Sequence, residues 1–318
     1  MRRLFQALII SAGLMLVLGQ TAQSDDSWPD TLVIGTAGRG GTYDAYGQGL
    51  TNIAKTDLHI AAATRETTGP EENLDLVAQG KIQIGFATLG AGLKALKDPE
   101  KGAAMQQIRA IAPMYDTAFQ FVVEAGSSIQ TLEDLDGKIV GVGPAGGTSD
   151  GYVPRMLKAL GVNAVFKSGD WAGLGEQLAK RNIDLLAVAG GTPFPALLEL
   201  GQKARLRFIP LSTDEALKLR LAIPELTPSV VAVGVYPWEK EAYQSVGMFN
   251  FIVVHRELPS SLVIALLDAL YLDNARMIEF SPAAAETTPK NVARNNIIPF
   301  HGGAVRWYER HFPQERGD

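Results

Sequence analysis

The chain has no cysteine. That removes thiol nucleophiles, cysteine-ligated zinc and disulfide staples, and it leaves the fold to be held by its core alone. Histidine is nearly as scarce, with only His59, His255, His301 and His311. Neither an HExxH metal helix nor a GxSxG nucleophile elbow occurs. His59 falls in an expected strand and His255 just behind an apolar run, so both read as structural. His301, between Pro299 and Gly302-Gly303, reads as a residue that fixes a C-terminal loop by hydrogen bonding. Glu71-Glu72 reads as the acidic first turn of a helix. No catalytic residue, metal ligand set or cofactor follows from these residues. Long basic runs are also missing, and the formal net charge is −5, which argues against nucleic acid as a partner.

Long apolar runs are missing everywhere except at the start. Met1-Arg2-Arg3 precedes an apolar stretch over residues 4–18, broken only by Gln6 and Ser11. That is shorter than the roughly 20 residues of a membrane span. Ala22-Gln23-Ser24 then offers a small-x-small cleavage site. The expectation is a secretory signal peptide over residues 1–24 and a periplasmic mature chain. With 46% hydrophobic residues, the remainder is long enough for two domains.

From Thr31 onward, strand-like and helix-like pieces alternate. "TLVIGTA", "LHIAAAT" and "IQIGFAT" read as strands, separated by helices over residues 43–55 and 71–79. Helix-length connections between strands imply a parallel sheet. A second series begins with "FQFVVEA" and continues through "GKIVGVG", a helix over residues 152–160, "AVFKSG", "LGEQLAKRNID", "LLAVAG", "PFPALLELGQ" and "LRFIPL". The joint falls near residues 115–118. No internal sequence repeat is evident. After "MFNFIVVHREL" the chain reads as helical from Ser260 to about Ile278 and then irregular, a segment able to return onto the first unit.

Three glycine turns sit at the carboxyl ends of expected strands, where open parallel sheets bind ligands. They are Gly38-Arg39-Gly40-Gly41-Thr42-Tyr43, Gly143-Pro144-Ala145-Gly146-Gly147-Thr148-Ser149-Asp150 and Gly190-Gly191-Thr192-Pro193. The first two put paired glycines and a hydroxyl residue at a helix start, where free amides and the positive dipole end favour an anion. The plain alternative is tight strand-to-helix corners with ordinary caps. A dinucleotide fingerprint fails, because its third glycine would be Tyr43 and its acidic residue, Glu66, comes about ten positions late. A P-loop fails for want of a lysine after the glycines.

Six segments in order resemble a family: "IGTAGRGGTY", "TTGPEENLDLVAQGKIQIGFAT", "IRAIAPMYD", "TLEDLDGKIVGVGPAGGTSD", "IDLLAVAGGTPFPALLEL" and "IPFHGGAVRWYE". Together they resemble the extracytoplasmic solute receptors of TRAP transporters, of the TAXI type. The resemblance implies a type II periplasmic-binding-protein fold: two α/β lobes, a hinge and a ligand cleft between them. It places lobe one at residues 28–115 plus about 256–318, and lobe two at about 118–255. It implies a monomeric, non-enzymatic receptor that captures a small carboxylate-bearing solute, such as glutamate or a dicarboxylate, and delivers it to a TRAP membrane permease. The ligand residues it implies are Gly40, Gly41, Thr42, Tyr43, Thr67, Thr68, Thr88, Tyr115, Gly147, Thr148 and Ser149, with Gly191 and Thr192 at the rim. The chain departs from the family pattern at Arg39, Pro70, Ala87-Thr88-Leu89-Gly90 and Asp116-Thr117. Arg39 stands inside the first glycine turn, where a guanidinium can hold a carboxylate through two hydrogen bonds. Arg39 is therefore expected to contact the solute, and the competing expectation is a solvated turn residue. Two other functions remain open: a ligand-sensing module feeding a signalling partner, and an enzyme on the same two-lobed fold. A porphobilinogen-deaminase-like enzyme would need the cysteine this chain lacks.

Overall fold

A computed structural model describes residues 27–272 and 274–312. The expected signal peptide lies outside them. The first half runs β1 (Thr31–Gly35), α1 (Thr42–Thr56), β2 (Ala61–Arg65), α2 (Pro70–Ala78), β3 (Ile84–Thr88), α3 (Leu89–Lys97), α4 (Gly102–Met105) and a 17-residue strand, β4 (Ile108–Glu124). After a short 3₁₀ turn come β5 (Ile139–Gly141), α5 (Thr148–Leu160), β6 (Val165–Lys167), α6 (Trp171–Ala179), β7 (Leu185–Gly190) and α7 (Pro195–Lys203). Then follow β8 (Leu206–Phe208), α8 (Thr213–Ala222), β9 (Thr227–Val231) and the 13-residue β10 (Tyr243–His255). The chain returns through α9 (Ser260–Leu272), α10 (Asn274–Phe280), two 3₁₀ segments and α11 (Gly302–His311).

The ten strands of the described residues join one curled sheet in the order β2-β1-β3-β10-β4-β7-β5-β6, with β8 added to β4 and β9 to β10. β1 pairs in parallel with β2 and β3, and β5 with β6 and β7. These are the two α/β units read from the sequence. Between them β4 and β10 run antiparallel to each other. β4 is buried along nearly its whole length, as expected for a continuous apolar run covered on both faces.

The side chains of β4 and β10 show where the lobes divide. In β4, Ile111, Met114 and Tyr115 pack with Leu32, Phe86 and α1, whereas Phe119 and Phe121 pack with Val140, Met156 and Leu185. In β10, Val246 and Met248 belong to the second core, and Phe249, Phe251 and Val253 to the first. Both strands therefore serve both lobes. The change from one core to the other falls inside β10, between Met248 and Phe249. A strand shared by two cores shows no composition break, so the sequence marks no boundary there.

The C-terminal segment packs on the first lobe through Leu262, Leu266, Leu267 and Trp307. It is less irregular than expected, because His301 starts α11. Its Nδ1 accepts from the Gly303 amide at 3.0 Å, while Nε2 lies 3.1 Å from the Arg256 carbonyl oxygen. A histidine cap is outside the usual Ser, Thr, Asp and Asn signals, which hid the helix start. α8 was also unread: it has a Ser212–Glu215 capping box but buries only Leu219, so its apolar residues form no clear face. His59 lies in the turn before β2 with φ 54°, not in a strand.

Burial holds the His301 imidazole below the usual histidine range, partly offset by the carbonyls of Arg256 and Leu258. The unfolded chain therefore takes up this proton first as pH falls. The stability from neutral His301 is complete above the unfolded value of about 6.5 and is lost below it. His301→Asn, a non-titrating cap, is expected to lose less stability than wild type between pH 7.5 and 5.5 in urea unfolding. Equal losses would contradict this cap. His301→Ala should cost about 0.5–2 kcal/mol at neutral pH.

Candidate functional site

Two turns, one from each lobe, are built alike. Gly40-Gly41-Thr42-Tyr43-Asp44 opens α1 and Gly146-Gly147-Thr148-Ser149-Asp150 opens α5. Gly40 and Gly146 have φ of 76° and 79°, which favours glycine. The Gly41 amide donates to Gly38 O at 3.2 Å and the Gly147 amide to Pro144 O at 3.1 Å. Asp44 Oδ2 accepts from the Gly40 amide at 3.2 Å, and Asp150 Oδ2 from the Gly146 amide at 3.0 Å. Each acid thus bends back onto its own turn. The N-caps, Gly41 and Gly147, have no side chain to satisfy the first amides of their helices. The sequence reading saw no repeat. Five residues identical at four positions became visible as a match only when both copies stood at the same place in their lobes.

α2 adds a third such end. Its N-cap is Gly69, again without a side-chain bond, and Thr68 is held outside it by Glu72 Oε2 at 2.8 Å from its amide and 3.0 Å from its hydroxyl. The three ends meet across a closed cleft. A Cβ on Gly38 would stand 2.8 Å from Pro144 Cγ, one on Gly146 3.2 Å from Thr68 Cβ, and one on Gly69 3.7 Å from Gly147 Cα. The Ala196 amide donates to Gly40 O at 3.1 Å and Thr42 Oγ1 to Gly191 O at 3.3 Å, both across the lobes. Between them lies a cavity of about 50 Å³, room for a few water-sized groups at roughly 10–15 Å³ each. Its walls are the three helix ends, the hinge residues Tyr115 and Thr117, and Val142, Pro144, Trp171, Ala189, Gly190 and Phe194 from the second lobe. Among the described residues, no Asp, Glu, Lys, Arg or His lines it.

The polar groups around the cavity are held from behind by Asn250, buried at the centre of β10. Its Oδ1 accepts from Tyr43 Oη at 2.7 Å, and its Nδ2 donates to Tyr115 O and Thr117 Oγ1, each at 2.7 Å. Ser149 Oγ accepts from the Ala189 amide at 2.7 Å, tying α5 to β7. Burial pushes the hydroxyls of Tyr43 and Tyr115 far above the ordinary tyrosine range, so both stay neutral donors. The Tyr115 hydroxyl is fully buried and has no partner among the described residues.

The structure brings Gly41, Thr42, Tyr43, Thr68, Tyr115, Gly147, Thr148 and Ser149 to one cavity. It does not bring in the others. Arg39 is 87% exposed, with Nε 3.4 Å from Glu66 Oε2, and points into solvent at the cleft mouth beside Gly40. Thr67 is spent on Thr36 O at 2.8 Å, and Thr88 caps α3 by accepting from the Ala91 amide at 3.0 Å. Gly191 packs against the Tyr115 ring, and Thr192 lies in the loop before α7 without lining the cavity. Sequence reasoning missed Thr117, Trp171, Phe194 and Asn250. Trp171 carried one legible signal, as the first residue after the helix cap Asp170. The mouth itself is acidic, with Glu66, Glu72, Asp170 and Glu199 around the single cation Arg39. Among the described residues, no cluster of three His, Cys, Asp or Glu could hold a metal ion.

The model of the NMT1-like family matches residues 34–311. Among solved structures, the fold is similar to a periplasmic transporter at 14% identity and a TM-score of 0.54, over 81% of this chain and 88% of that one. It is similar to an ancestral arginine-binding protein bound to arginine at 18% identity and 0.50, over 80% and 99%. It is also similar to a Xanthomonas citri protein bound to ATP at 13% identity and 0.50, over 84% and 94%. At such identities the likeness establishes the fold, that of two-lobed solute-binding proteins.

Two substitutions test this geometry once a ligand is in hand. Gly38→Ala drives a methyl into the Pro144 ring and should weaken binding at least tenfold. Unfolding of the unliganded protein should change by less than about 0.5 kcal/mol. Unchanged affinity would mean that Gly38 and Pro144 do not meet in the bound form. Arg39→Ala should cost less than about 0.5 kcal/mol in calorimetric titration, as for a solvated surface side chain, rather than the ~2–4 of a carboxylate clamp. A tenfold loss would return Arg39 to the ligand.

Proposed function

The chain belongs to the NMT1-like family, and from that premise we propose that it is an extracytoplasmic receptor for a small organic anion. The observation that carries this reading is the convergence of three glycine-capped helix ends, from two lobes, on one cavity with no charged side chain among the described residues; α1 and α5 bring free first amides, and α2, which begins with Pro70, brings its dipole. Free amides at helix starts favour negative charge by position and dipole, and they need no counter-ion. The ligand residues in this reading are Gly41, Thr42, Tyr43, Thr68, Tyr115, Gly147, Thr148 and Ser149, joined by Thr117 and Trp171. The protein binds and releases its solute unchanged. In this reading, which follows the sequence resemblance, the delivery partner is a TRAP-type permease and the compartment the periplasm. A sensing role is kept as the second reading, since a closing cleft can signal as well as deliver.

The acidic mouth argues for a different ligand, because it would attract a cation and slow an anion's approach. The screen must therefore contain both. A ligand that binds only the folded state adds about 2.7 kcal/mol at a hundredfold excess over Kd. A thermal-shift panel of carboxylates, amino acids, polyamines and neutral sugars should give its largest rise with a carboxylate. A rise confined to polyamines, cationic amino acids or sugars would overturn the anion reading.

A further inference from the structure

Among the described residues, Gly38, Thr68, Pro144 and Trp171 line both the closed cavity and the mouth outside it. They form the wall between a space of about 50 Å³ and one of about 980 Å³. Gly38, Thr68 and Pro144 are small, and Trp171 is the large side chain of this wall. Its ring comes from the first position of α6, in the second lobe, where Asp170 caps the helix by accepting from the Gly173 amide at 2.8 Å. The ring reaches across to the first lobe, and its Nε1 stands 3.5 Å from where a Cβ on Gly41 would be.

Two glycines make room for this placement. A Cβ on Gly143 would overlap the Trp171 ring, and one on Gly190 would stand 2.6 Å from Phe194 Cδ2. Phe194 meets Trp171 edge to face with 5.0 Å between ring centroids, and its amide donates to Tyr236 Oη at 2.7 Å. Phe194 lines the cavity but not the mouth. Trp171 is 8% exposed and Phe194 2%, both packed in the core of the second lobe. Rings held this way do not yield cheaply to extra methylenes.

We infer that Trp171 sets the length of the solute. With the ring in place the solute must end inside the cavity, which at roughly 10–15 Å³ per group admits about three to five non-hydrogen atoms. Without the ring, cavity and mouth become one space, and the tail of a longer anion passes out among Glu66, Glu72, Asp170 and Glu199. The inference rests on the receptor reading above and adds a size limit to it.

The test is calorimetric titration of protein freed of any carried solute. The probes are acetate, propionate, butyrate, pentanoate, hexanoate and 6-aminohexanoate. Wild type should bind acetate or propionate most tightly and lose at least about tenfold by pentanoate. In Trp171→Ala that fall should disappear, with hexanoate binding at least as tightly as propionate. There 6-aminohexanoate should bind about threefold more tightly than hexanoate, an advantage of its ammonium among the mouth acids that added salt removes. Phe194→Leu, which alters the cavity but not the wall, should keep the fall. Thermal unfolding checks that each variant is folded. Trp171→Leu keeps the test decisive where the alanine variant fails to fold, and should move the fall toward longer chains. Wild type binding hexanoate as tightly as propionate would overturn the inference. So would folded Trp171 variants that lose affinity evenly across the series, or a Phe194→Leu that abolishes the fall as Trp171→Ala does. In each of those cases carboxylates still bind and the receptor reading survives. Silence from every carboxylate, in wild type and variants alike, would overturn both.

Discussion

Everything in this molecule hangs on the antiparallel ladder between β4 and β10. Both strands pass through both lobes and carry backbone continuity across the cleft floor. Gly247, Met248 and Phe249 pair with Ala118, Thr117 and Asp116, and the register then slips before Phe251. Asn250 occupies the slip. Its side-chain amide donates to Tyr115 O and Thr117 Oγ1, supplying contacts to β4 where the ladder shifts. A bulge of this kind lets a strand bend without losing its partner. The cavity-lining Tyr43, Tyr115 and Thr117 are tied to the same asparagine, so cavity and hinge share one polar centre.

Behind the hinge sits a second buried arrangement. The Asp116 amide donates to Glu286 Oε2 at 3.0 Å. Burial raises both carboxyl groups above their ordinary range, eased by a Ser229 hydrogen bond for Asp116 and by the charge of Arg294 for both. Glu286 ends a 3₁₀ segment of the C-terminal return. That return is therefore part of the hinge as well as of the first core, and it holds the back of the floor while the glycine turns form the front.

The cavity gains its electrostatic character from backbone rather than from side-chain charge. A fixed amide at a helix start is already oriented and gives up little hydration when the cleft closes, whereas a buried arginine or lysine would have to be desolvated each time. Glycine at each N-cap is what permits this. A serine or threonine there would satisfy the first amides itself. The same glycines let the lobes approach until Gly69 and Gly147 stand within contact of each other. One residue choice thus leaves the amides free and lets the lobes meet.

The sequence by itself determined the two α/β units and the three glycine turns. Each rests on local signals: apolar runs of strand length, helix-length connections and glycines ahead of helices. The missing cysteine also excluded thiol chemistry and disulfides. Tertiary structure alone decided which turn residues face the cavity. Gly40 and Gly41 are adjacent, yet one lies at the mouth and the other on the wall. Arg39 looked like a clamp because arginine near free amides suits a carboxylate, but its direction depends on Glu66, which lies on the far side of β2 in sequence. Asn250 and Trp171 carry no motif, since their roles come from contacts with residues up to 207 positions away. Spacing along a chain records periodicity and local turns; the direction of a side chain across a cleft is set only when both lobes are in place.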